Sequence, residues 1–225
     1  MTKLSKKELK EPDILQTTTT KIVHYIKKNR VRFYVFATAG ITAGIITVGI
    51  YFYWDNYQTK AMQIYTKAQN NMLKNMDDPS VSDKTLKTFR ELIESYPYSW
   101  SARMAHYHLG NIYYKKGELD NAIESYKKFV SLVKSDEAGV KFLALTSLGY
   151  CYEARKDFKT ALDYFEKAQK TKNIGFESMG YRNIARIYEL LNDKGKALEN
   201  YKIALEKNND PGMELFIKRK ISSLS

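Results

Sequence analysis

Three histidines (His24, His106, His108), one cysteine (Cys151) and the acidic pair Asp77-Asp78 are the side chains in this 225-residue chain best suited to chemistry. Catalysis would need such groups as a nucleophile with a base, an acid/base pair or a ligand set. No HExxH, CxxC or glycine-rich phosphate loop brings them together, so no catalytic residue, metal site or cofactor is expected. His106 falls where a repeated pattern wants a large packing residue, and reads as a core histidine satisfied by its neighbours. Asp77-Asp78 precedes Pro79 in a turn, where solvated carboxylates are ordinary. A lone Cys151 excludes any intrachain disulfide and reads as a buried, inert thiol.

Charge leads to the same absence. Half of the net +12 lies in the first 32 residues, which carry nine Lys/Arg against three acids. The longer remainder has an ordinary mixed surface, which argues against a nucleic-acid partner.

From Phe33 to Trp54 the chain runs FYVFATAGITAGIITVGIYFYW without a charge. As a helix these 22 residues span roughly 33 Å, the thickness of a bilayer's hydrocarbon core. Aromatic rings stand at both ends: Phe33 and Tyr34, then Tyr51, Tyr53, Trp54 and Tyr57. The run is too long for a signal peptide, and no small-residue cleavage site follows before Asp55.

Lys21, Lys27, Lys28, Arg30 and Arg32 flank the run on one side only, which predicts a single-pass anchor with a cytoplasmic N-terminus. In a bacterium the remainder would be periplasmic; in a eukaryotic cell it would be lumenal or outside. The bacterial inner membrane is the expectation. Gly40 and Gly44 form a GxxxG, flanked by Ala39 and Ala43, a face that either associates with another helix or meets lipid. Residues 13–32 can form a helix with Ile14, Leu15, Ile22, Val23 and Ile26 along the membrane and bases opposite. Residues 1–12 read as a basic tail.

Beyond the anchor the sequence repeats. His106xxLeu109Gly110xxTyr113 is followed by Ala122xxxTyr126, Leu145xxLeu148Gly149xxTyr152 by Ala161xxxPhe165, and Tyr181xxIle184Ala185xxTyr188 by Ala197xxxTyr201. Each copy is a pair of antiparallel helices. Gly110, Gly149 and Ala185 on the first helix, and Ala122, Ala161 and Ala197 on the second, let backbones approach while aromatic rings fill the space beside them. The turns hold Gly117 and Asn192, both suited to the left-handed residue that ends a helix.

This pattern resembles the tetratricopeptide repeat, which implies an all-α solenoid. A degenerate copy precedes it, with a first helix from Tyr57 to about Met76 (Ala61, Tyr65, Ala68) and a second through Thr85, Phe89 and Leu92 to Tyr96-Pro97. The lengthened spacing between repeats falls in Ser135–Val140 and Thr171–Gly175. Asp210-Pro211 opens a capping helix whose apolar face would be Met213, Phe216, Ile217, Ile221 and Leu224. The expected organisation is a tail over 1–32 and a transmembrane helix over 33–54. A linker helix with the degenerate repeat over 55–100, three repeats over 101–210 and a cap over 211–225 complete it.

Stacked helix pairs present a groove lined by their first helices, where a partner peptide or helix can lie. Register places Met104, Tyr107, Asn111 and Tyr114 there from the first repeat, then Thr146, Tyr150 and Glu153, then Arg182, Arg186 and Glu189. The alternative is that the tyrosines pack between repeats and the arginines pair with Glu153 or Glu189.

Anchor, degenerate repeat, regular repeats and the ending from Pro211 to Ser225 (Met213, Lys218 or Lys220, Ile221, Leu224-Ser225) together resemble the ancillary subunit of the SecYEG translocon, the YfgM-like family. The resemblance implies a non-enzymatic protein beside the channel, working with a PpiD-like chaperone on nascent secretory chains. The competing expectation is a scaffold for a cell-division or outer-membrane assembly, acting through homo-oligomerisation.

Overall fold

The computed structural model describes residues 14–74, 79–134, 139–171 and 175–225, which form helices and turns with no strand. The expectations for the tail over 1–12, for Met76, Asp77 and Asp78, and for loop residues 135–138 and 172–174 lie outside the described residues. Two compact units divide the chain, Met1–Asn56 and Tyr57–Ser225.

The first unit holds α1 (Ile14–Lys28) and the opening of α2 (Arg30–Lys74). Among the described residues α2 is the one helix long and apolar enough to cross a membrane, and none of its apolar window is buried. Polar groups in that window are satisfied locally. The Thr38 hydroxyl donates to the Tyr34 carbonyl at 2.8 Å and that of Thr47 to Ala43 at 2.8 Å, bonds that hydrocarbon could not supply.

The second unit continues α2 from Tyr57 and adds α3 (Pro79–Ser95), α4 (Trp100–Lys115), α5 (Leu119–Leu132), α6 (Val140–Ala154), α7 (Phe158–Gln169), α8 (Glu177–Leu190), α9 (Lys194–Glu206) and α10 (Pro211–Leu224). From α3 onward each helix packs on the next. This is an all-α solenoid closed by a capping helix.

The wedges form as the spacing predicts. A Cβ on Gly110 would stand 2.5 Å from the Tyr126 ring, and one on Gly149 2.5 Å from the Phe165 ring. Ala185, fully buried, shares its cluster with Tyr201. Ala61, Tyr65 and Ala68 of α2 join Phe89 and Leu92 of α3 in the largest cluster.

All three repeats turn through the same backbone device. The amides of Glu118, Asp157 and Asp193 donate five residues back to Tyr113, Tyr152 and Tyr188, each at 2.9 Å. The residue before each is left-handed: Gly117 (φ 76°), Lys156 (φ 61°) and Asn192 (φ 60°). That is a Schellman ending. Asp157 and Asp193 then cap the next helix, accepting from the amides of Thr160 and Lys196 at 3.1 Å. Gly117 and Asn192 meet the expectation, but Lys156 has neither glycine's freedom nor an amide's local bonding. Lys156→Gly should therefore stabilise the domain by about 1 kcal/mol, read as a higher denaturant midpoint at unchanged slope.

One expected face needs correction. Ile217 of α10 is buried, with Met213, Ile221 and Leu224 packed beside it, but Phe216 is 45% exposed. It lies about 100° from Ile217 around the helix, off the single stripe that covers α9.

Candidate functional site

The signature helices α4, α6 and α8 carry the residues expected to meet a partner, and the structure separates them into three groups. Met104 and Tyr107 are half-buried against the main core. The Tyr107 ring lies 6.0 Å from that of Tyr126 and 5.6 Å from Phe129, so much of it serves packing. Thr146 is buried outright.

A second group is occupied by bonds through the solenoid wall. The Tyr126 phenol donates to Asn111 Oδ1 at 2.7 Å, and the Tyr201 phenol to Glu189 Oε1 at 2.5 Å. Glu189 also receives Lys220 Nζ of the capping helix, at 2.9 Å. Arg182 turns to the same helix, donating from Nη1 to Met213 Sδ at 2.9 Å.

The third group comes together: Tyr114, Tyr150, Glu153 and Arg186. The middle repeat has Phe165 where its neighbours have tyrosine, so no phenol claims Glu153. The Arg186 guanidinium takes that carboxylate instead, linking α8 to α6. Its carbon lies 5.5 Å above the Tyr150 ring and 6.0 Å from the Phe165 ring. Tyr150 donates to Asn183 Oδ1 at 3.0 Å. Tyr114 remains 39% exposed beside them. Burial raises its phenol pKa, helped by Cys151 and Tyr150 and opposed by Arg186. Tyrosine rings beside one charge pair can pack on and hydrogen-bond to a peptide.

The expectation for histidine was attached to the wrong residue. His106 lines an open groove of about 710 Å³ between α3 and α5, with Arg90, Glu94 and Lys128. Partial burial, and then the Lys128 charge, lower its pKa. His108, two residues on, is the core histidine. Its ring stacks on Phe89 at 5.5 Å and 7°, and Nε2 lies 2.8 Å from the Tyr65 hydroxyl.

Sequence reading also missed a recurring seam. In two of the three copies the residue two places after the start of the signature bonds a phenol of the repeat before: His108 to Tyr65 and Asn183 to Tyr150. The signal was present as a polar residue at the same register in all three copies.

Among solved structures, the fold is similar to one titled as the crystal structure of MamA, at 21% identity over 64% of this chain and 77% of that one, TM-score 0.53. A second MamA structure aligns at 18% identity over 74% and 87%, TM-score 0.52. A structure titled as the functional characterisation of Pseudomonas aeruginosa PilF aligns at 17% identity over 74% and 68%, TM-score 0.57. At these identities the likeness is one of fold. No curated protein matches the chain in sequence. Residues 100–173, which hold the first two copies read from residue spacing, match the tetratricopeptide repeat family.

Proposed function

We propose that this chain is a membrane-anchored interaction module of the bacterial inner membrane, N-terminus cytoplasmic and repeats periplasmic, that serves the Sec translocon. It holds PpiD-like chaperones or nascent secretory chains on the face around Tyr114 and Tyr150. Repeats of this type are typically binding modules, and enzymatic work is not part of the reading. The observation that carries it is the set Tyr114, Tyr150, Glu153 and Arg186, which gathers on the signature helices with Tyr114 39% exposed at its edge. The one-sided basic flank of residues 33–54 supports the topology.

A photo-crosslinking residue at Tyr114 or Tyr150, introduced in the full chain in cells, should capture translocon or chaperone components. Arg186→Glu should cut that yield about tenfold, the equivalent of ~1.4 kcal/mol. Recovery of neither component rejects the translocon assignment.

The homo-oligomeric scaffold remains the second reading. Among the described residues nothing beyond the helix's own local backbone lies within 4 Å of a Cβ position on Gly40 or Gly44, which leaves room there for another helix. A native mass above monomer in mild detergent, lost on Gly40→Leu with Gly44→Leu, would favour it.

A further inference from the structure

The helix before the apolar run has two sides of opposite character. At 100° per residue, Ile22, Val23, Tyr25 and Ile26 of α1 share one side, and Lys21, His24, Lys27 and Lys28 the other. Most of the apolar side is open, with Ile22 52% exposed, Val23 49% and Tyr25 69%, and Ile26 half-buried. With Arg30 and Arg32, five cations and no acid occupy residues 14–54.

We propose that α1 lies flat on the membrane as an anionic-lipid-binding helix, its apolar side at the headgroup–acyl boundary and Lys21, Lys27 and Lys28 on phospholipid phosphates. The occupant follows from charge and reach. A wholly cationic rim complements a negative surface, and only four residues separate Lys28 from Phe33, where the apolar run begins. A soluble acidic protein would match the lysines but not the exposed isoleucine and valine beside them. The inference rests on the reading that residues 33–54 cross a bilayer.

The test uses the full chain in nanodiscs of phosphatidylcholine, alone or mixed with phosphatidylglycerol. A Val23→Cys variant carries an environment-sensitive NBD label, and the parent chain, with Cys151 buried, is the labelling blank. Emission should brighten and shift to the blue in the anionic discs and revert at high salt. Replacing Lys21, Lys27 and Lys28 by Gln should lower the docked-to-undocked ratio about fivefold per lysine. Equal emission in the two discs, or emission indifferent to the triple variant, overturns the proposal while leaving the anchor standing. A chain that neither disc retains overturns the anchor, and the proposal with it.

Discussion

Phe165→Ala should destabilise the repeat domain by about 3–5 kcal/mol, a large share of the ~5–15 kcal/mol that holds a typical domain together. The ring is 1% exposed, fills the notch over Gly149, packs 5.3 Å from the Tyr150 ring and lies beneath the Arg186 guanidinium. Alanine would leave a cavity between α6 and α7 and unseat residues of the candidate face with it. The converse change tests the same wedge from the other side. In Gly149→Ala the new methyl would fall 2.5–2.7 Å from three ring carbons of Phe165, so the ring must move, at about 1–3 kcal/mol. In a Phe165→Leu background that ring is gone. Alanine's better helix propensity, worth about 1 kcal/mol, should then make the second substitution neutral or favourable. Denaturant titrations of the four proteins should give a coupling above about 1 kcal/mol; simple additivity would refute the wedge.

Acid should loosen the stack where the degenerate repeat meets α4. The His108 imidazole is held neutral by burial, which lowers its pKa from 6.5 to about 4 with no charged group contributing. The unfolded chain takes up this proton near pH 6.5 and the folded chain only near pH 4. Between those values the unfolded state binds more protons, so stability falls as pH falls across the window. The full loss is about 3 kcal/mol, and His106, lowered in the same direction, adds to it. His108→Gln should flatten the dependence between pH 7 and pH 4.5 while keeping a polar partner for Tyr65. Its carboxylates are those of the parent, so the difference between the two curves belongs to the imidazole. Parallel curves would show that the ring takes its proton freely in the fold.

What the sequence disclosed and what it hid divide by the range of the contacts involved. Gly110 with Tyr126 and Gly149 with Phe165 lie 16 residues apart in adjacent helices, so a fixed spacing exposed them. Gly117 and Asn192 were legible because few residues tolerate a left-handed backbone; Lys156 was not, because the Schellman ending sets that conformation on an unsuited side chain. His106 and His108 were exchanged because one register position faces the groove and the other the preceding repeat, a distinction that depends on how repeats stack. The candidate face was half legible for a similar reason. Whether Glu153 is free for Arg186 turns on Phe165 lacking the hydroxyl through which Tyr201 engages Glu189.

The phenol contacts that join one repeat to the next use an imidazole at one junction and a carboxamide at another. These groups differ in reach and in which of them can donate, so the modules are not interchangeable parts. A transplanted or duplicated unit would arrive with the wrong fastener at its junction. The order in which the units follow one another is thus enforced by chemistry at their boundaries as well as by connectivity.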